Sequence, residues 1–373
     1  MKKWIHTILP LLFWPLGFLL SCITAFFPKQ VEVVYARGFS KIVTEYLSRV
    51  TGFVPFSLAE LIVWAFVISV FLLFLQAIIV SLRARSSQRN QKKGGLLLRM
   101  IGLLVLLGIV YFGFILVWGI NYNRLPFAEI AGFKVDGYPE KDLEQLCEKL
   151  VVKANRLRIN LPENEQGIIK IEGGFQEIRM TAPQGYAKAA LIYPELGGIF
   201  GQPKPVFFSK LMSYTGISGI YFPFTGEANV NTDIPDPILP AATCHEMAHQ
   251  RGFAREDEAN YLAWVACSCS TVPQFQYSGT LFALIYAMNA LYENDPIQAA
   301  QINNKYGPGL RRDFRAISQY WKQYEGKVEE FTSDVNDTYL KSNWQREGVE
   351  SYGRMVDLLL AEQSTDPGKK FLP

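Results

Sequence analysis

Three long stretches in the N-terminal third of the chain show no polar face. They are ILPLLFWPLGFLLSCITAFF at 8–27, SLAELIVWAFVISVFLLFLQAIIVSL at 57–82 and LLLRMIGLLVLLGIVYFGFILVWGI at 96–120. A helix at the edge of a soluble core carries a polar stripe, and these do not. Each is long enough to cross a hydrocarbon layer of ~30 Å. The pattern predicts three N-terminal transmembrane helices. Lys2 and Lys3 followed by the first run could also mark a cleaved signal peptide, with LLSC at 19–22 as a lipoprotein-type site. No small-x-small site follows, and the apolar run continues to Phe27, so the run is read as an uncleaved anchor. Pro10 and Pro15 do not oppose this, because membrane helices tolerate proline.

Beyond residue 120 the pattern becomes that of a water-facing domain. In PEKDLEQLCEKLVVKANRLR, 139–158, Leu143, Leu146, Leu150 and Val151 recur at helical spacing. IIKIEGG, 168–174, reads as a short strand ending in glycines. From 183 to 240 the chain is rich in Gly and Pro and reads as strands and loops. A helix follows Pro240, a second begins near Glu256, and others fill 279–293, 309–326 and 350–362. The expectation is an α+β domain over 121–373, with a small sheet ahead of a helical half, joined to a membrane domain over 1–120.

Composition and charge sharpen this picture. Hydrophobic residues make up 49% and charged residues 19%, with most of the apolar excess in the three runs. The net charge of +3, with no basic run interleaved with aromatics after residue 120, excludes nucleic acid as an expected partner. The loop RARSSQRNQKK, 83–93, carries five basic residues and no acid. With Lys2 and Lys3 it sits on the cytoplasmic side by the positive-inside rule. That predicts a multi-pass protein of the cell membrane, with the bilayer as partner and the domain after residue 120 outside the cytoplasm. There disulfides are permitted, and Cys147, Cys244, Cys267 and Cys269 are available. Free buried thiols are the simpler reading, and Cys244 with Cys267 is the one pairing to test.

Candidate chemistry concentrates in CHEMAHQRGFAREDEANYLAWVAC, 244–267. On a helix, His245 and His249 lie one turn apart on one face and can share a metal ion. Imidazole pairs of this kind suit Zn2+. Glu246 is then placed beside the open coordination position, as general base for water acidified by the metal. The arrangement H-E-x-x-H on a helix is that of zinc metallopeptidases. A third ligand is needed, and His6, the one other histidine, lies beside the first membrane run. Gly252 can end the helix in a left-handed turn. Among the acids that follow, Glu256 is the first choice, ahead of Glu258 and Asp257. It shares a helix face with Asn260, which could hydrogen-bond a ligand histidine.

HEMAH followed by EDEAN resembles the glutamate zincins. CHEMAHQRGFAREDEANYLA, with YFPFTGEANVN and SYGRMVDLLLA, is similar to an uncharacterised bacterial family of membrane-anchored, zincin-like proteins over nearly the whole chain. The resemblance implies a zincin-like metallopeptidase domain acting on a peptide or protein substrate. Two departures stand out. Asn260 replaces the usual aspartate, and Arg255 stands where a compact variant of the pattern has its last histidine. The alternative is a catalytically silent zincin-fold sensor or scaffold that binds metal or peptide. GIYFPFTGEANVN, 219–231, is placed to be an edge strand for substrate. Tyr352 and Arg354 are candidate oxyanion donors.

Overall fold

The computed structural model describes residues 9–82, 89–135, 137–343, 345, 347–363 and 371. Lys2, Lys3, His6 and positions 83–88 of the basic loop lie outside these residues.

Two helices are long and apolar enough to cross a bilayer, over Leu58–Gln76 and Arg99–Val117. The first apolar run takes another form. A 3-10 turn, Leu9–Leu12, leads into helix α1, Phe13–Thr24. The chain then turns by 99° into α2, Pro28–Thr51, so a third crossing exists only if this bent pair is one span. The cause is local. Phe27 leaves helical geometry, and Pro28, which has no N–H to give, opens the next helix at its first position. Helices α3, Leu58–Leu82, and α4, Arg89–Val117, follow. Small residues let α1 and α4 approach closely. A Cβ on Gly108 would come within 2.7 Å of the Trp14 ring, and one on Gly17 within 2.8 Å of Tyr111.

The remainder is mostly helical, with little sheet. Helix α5, Glu140–Arg158, forms as its periodicity predicts and buries Leu146 and Leu150 completely. Each contributes ~1.5–3 kcal/mol relative to exposure. The expected strand at 168–174 is an isolated bridge between Glu163 and Ile169. Gly173 and Gly174, both at positive φ, instead lead into helix α6, Gly174–Ala189. Its buried Ile178, Thr181, Ala182, Gly185, Tyr186 and Ala189 follow helical spacing that the flanking glycines and Pro183 obscured.

The sheet is small, with strands β1, Lys204–Pro205, β2, Gly219–Phe222, and β3, Glu227–Val230, in the order β1-β3-β2. β2 pairs antiparallel with β3 and lies at the edge. Behind it stand α7, Leu239–Gln250, α8, Glu256–Cys269, and α9, Pro273–Asn294. Tyr261 and Trp264 of α8 are fully buried among them. Helices α10, Pro308–Lys322, α11, Lys327–Ser342, and α12, Met355–Gln363, follow; α11 is largely exposed and α12 is mostly buried. All five cysteines are free, and Cys147, Cys244 and Cys267 are buried.

Two buried ion pairs fasten the membrane helices to the domain. The Glu227 carboxylate accepts from the N–H groups of Leu58 and Ala59, at 3.3 and 2.8 Å, and so caps the start of α3. Lys204 pairs with the same carboxylate and also donates to the carbonyls of Thr51 and Phe56. Arg124, just past α4, makes a two-pronged pair with Glu32 of α2 at 2.8 and 2.9 Å. Its remaining nitrogen donates to the carbonyl of Gly252 at 3.0 Å. The turn that follows the H-E-x-x-H segment is thereby tied to α2.

Candidate metal centre

Helix α7 is buried on every side, and Pro240 occupies its first turn. The helical repeat brings Nε2 of His245 and Nε2 of His249 to 3.0 Å. Gly252 adopts φ +85°, and its N–H returns to the carbonyl of His249, so the helix ends as the sequence predicts. Four residues later Glu256 opens α8. One of its carboxylate oxygens lies 3.2 Å from Nε2 of His245 and 3.4 Å from Nε2 of His249.

Ligand atoms of His245, His249 and Glu256 all fall within 4.8 Å of one another, so this trio could hold a metal ion. The other two acids are directed elsewhere. Glu258 accepts from the Phe127 N–H at 2.7 Å and from Arg255 at 2.8 Å. Asp257 belongs to no metal-binding group among the described residues. Burial and the neighbouring Glu258 raise its carboxyl to about 7.

The surroundings fit a cation. Nδ1 of His249 lies 2.7 Å from the carbonyl of Phe253, which accepts its proton and leaves Nε2 free to ligate. Trp118, the residue after α4, packs edge-on against His249 with ring centroids 6.1 Å apart. Burial alone would lower the His249 pKa, but the Glu256 carboxylate outweighs it and raises the value to about 9. Burial likewise opposes ionisation of Glu256, and His249 with His245 holds its carboxyl far below the usual range. Without metal, this is a proton-bridged cluster. A divalent cation could take that proton's place by the same electrostatics.

Glu246 differs from Glu256. Burial raises its carboxyl to about 7, against the opposing pull of the two histidines. Its Oε2 has no hydrogen-bond partner among the described residues. It lies in a cleft of about 310 Å³ lined by Gly219, His245, Asn260, Tyr286 and Tyr352. Gly219, at the start of edge strand β2, is pressed against it. A Cβ there would sit 2.5 Å from Cγ of Glu246.

Three sequence expectations need correction or choice. Asn260 reaches the cleft, but its amide donates to the carbonyl of Tyr352 at 3.2 Å and not to a ligand histidine. The Phe253 carbonyl does that work, a role no side-chain pattern could announce. Of the two oxyanion candidates, Tyr352 lines the cleft, whereas Arg354 is engaged with Glu347 and Asp357. Tyr286, on α9, also lines the cleft, and no motif in the sequence marks it. Burial raises both phenols, so each keeps its proton and can donate.

The model of the family described as "Protein of unknown function (DUF3810)" matches residues 35–360. No curated protein and no solved structure matches the chain.

Proposed function

The chain belongs to the DUF3810 family, and we propose that it is a membrane-anchored zinc metallopeptidase of the glutamate-zincin type, with its site outside the cytoplasmic membrane. One observation carries the reading. Two histidines and Glu256 converge on one point, while Glu246, whose buried Oε2 has no hydrogen-bond partner among the described residues, lines the adjoining cleft. A structural zinc site has no use for such a base, because its shell is closed by four ligands.

In this reading His245, His249 and Glu256 hold zinc. When bound, zinc supplies Lewis acidity to water and to a substrate carbonyl. Glu246 takes the proton of the attacking water and returns it to the departing amine nitrogen. Burial raises its carboxyl to about 7 in the metal-free site, and a bound cation lowers it from there towards the ionised form that a base needs. Tyr352 or Tyr286 donates to the carbonyl oxygen as negative charge develops there. Edge strand β2 offers backbone groups on its unpaired side to an extended peptide.

The direct test uses the full chain in vesicles, loaded with zinc and offered a peptide panel. Cleavage that stops on chelation and returns with zinc supports the reading. A zinc-loaded protein that cleaves nothing leaves the silent sensor or scaffold in its place.

Two further results are expected. At pH 8 the metal-free cluster still holds the His249 proton, because that group titrates at about 9. Ligation requires a neutral imidazole, so zinc binding should release about one proton. Calorimetric titration in buffers of different ionisation enthalpy reads this directly. Below the His249 pKa the apparent affinity should fall about tenfold per pH unit. A buffer-independent enthalpy would contradict the assignment. The second concerns Gly219→Ala. The added methyl must displace Glu246, and a misplacement of ~1 Å can cost about 10²-fold in rate. Hydrolysis should drop while zinc content stays unchanged. Equal rates for Gly219→Ala and wild type would remove Glu246 from the role.

A further inference from the structure

Helix α2 is amphipathic in the wrong sense for water. The face it turns to the protein carries Ser40, Thr44, Ser48 and Thr51, all buried. These hydroxyls and their backbone meet the sheet region closely. Thr44 pairs with the hydroxyl of Tyr221 at 3.3 Å, and Thr51 donates to the carbonyl of Thr225 at 3.0 Å. A Cβ on Gly201 would come within 2.1 Å of the Ser48 carbonyl, so the backbones nearly touch.

The opposite face is apolar and open. Ile42 is 67% exposed, Tyr46 68%, Val50 48%, and Phe53, just past the helix, 90%. At ~100° per residue these four positions fall in one stripe. Nearer the start of α2, in its π-helical stretch Val31–Ser40, Val33 and Val34 are also exposed, at 66% and 69%. A water-facing helix would present its polar face outward.

We propose that α2 lies in the interfacial plane of the bilayer, with this stripe sunk among the lipid head groups and upper acyl chains. Three observations name lipid as the occupant. The helix continues from apolar α1 after a 99° turn, so a chain rising along the bilayer normal is laid flat on its surface. Phenylalanines stand exposed at both ends of α2, Phe26 and Phe27 before it and Phe53 and Phe56 after it, a residue type that interfacial helices sink into the acyl boundary. Lys29 and Arg49 are exposed on its flanks and suit anionic head groups.

The consequence is a fixed height for the site, whatever its chemistry. Thr44 touches Tyr221, Tyr221 packs on Trp118 at 4.6 Å, and Trp118 packs on His249. The buried Arg124–Glu32 pair prevents α2 from lifting away.

The test places nitroxide labels through Ile42→Cys and Tyr46→Cys on the full chain in phosphatidylcholine–phosphatidylglycerol vesicles. The partly exposed native thiols are removed by Cys22→Ala and Cys269→Ser. Both labelled positions face outward, so the label displaces no packing. Ile159→Cys is the aqueous reference. It is 77% exposed and follows α5, whose end is tied through Arg158 to Asp313 of α10. The ratio of collisions with oxygen to collisions with a water-soluble nickel chelate should be severalfold higher at 42 and 46 than at 159. Ratios equal to that at 159 would place the stripe in water and overturn the proposal. Low access to both reagents, with spin–spin broadening between labels, would show a second copy on the face and overturn it equally.

Discussion

Glu246→Gln is expected to cut peptide hydrolysis by about 10²–10⁴-fold, the usual contribution of a positioned general base. Zinc content should not change, because the three converging ligand atoms belong to His245, His249 and Glu256. Glutamine keeps the volume of the side chain in its tight place beside Gly219. It removes only the ability to accept and return a proton. Glu256→Ala should have the reverse signature. It strips the carboxylate that both histidines face, so zinc is lost first and activity with it. Glu258→Ala separates ligand from scaffold. That carboxylate holds the Phe127 N–H and Arg255, so its loss should lower the melting temperature while zinc stays bound. Zinc per chain and initial rate, measured on the three variants, distinguish these patterns. Loss of zinc from Glu258→Ala but not from Glu256→Ala would exchange the two acids' roles. Equal hydrolysis by Glu246→Gln and wild type would end the assigned mechanism.

The convergence of His245, His249 and Glu256 was legible in the sequence because it is local. Helical spacing joins His245 to His249, a left-handed glycine turns the chain, and the next helix begins on an acid. Choosing among Glu256, Asp257 and Glu258 needed only ~100° per residue on a helix whose first residue was placed correctly. What surrounds the trio was not legible, because it comes from far along the chain or from the backbone. Trp118 precedes His249 by more than a hundred residues, and nothing in VWGINYN marks a tryptophan as a neighbour of the site. The Phe253 carbonyl carries no side-chain signature at all. The fold reading failed for a related reason. Residues 168–174 read as a strand ending in glycines and the Gly- and Pro-rich stretch from 183 as strands and loops, yet burial of one face of α6 overrides both local tendencies. Helix α11, absent from the expectation, is largely exposed and leaves only a faint apolar pattern in KVEEFTSDVNDTYLKS. The inverted polarity of α2 was likewise hidden. Its hydroxyl face reads as the wet one until the structure shows it buried.

Glu227→Ala should be among the most damaging single changes to stability, at about 3–5 kcal/mol, the cost of breaking a buried ion pair on one side. Both partners are almost wholly inaccessible, at 2% for Lys204 and 1% for Glu227. The variant leaves the Lys204 ammonium with two carbonyls and no counter-charge. It also uncaps the Leu58 and Ala59 N–H groups at the start of α3, where the helix dipole favours a carboxylate. Lys204→Met should cost a similar amount for the mirror reason, since a buried carboxylate is then left without its cation. The double variant Lys204→Met/Glu227→Ala tells the two contributions apart. If the pair is only self-compensating, removing both charges should recover most of the loss. What is not recovered belongs to the cap, at about 0.5–2 kcal/mol. Unfolding of the full chain in micelles, followed for all four proteins, closes the cycle. Full recovery would mean that Glu227 offsets Lys204 and nothing more. A persistent deficit would show that this carboxylate holds the membrane helix to the sheet, and thereby to the strand that presses on Glu246.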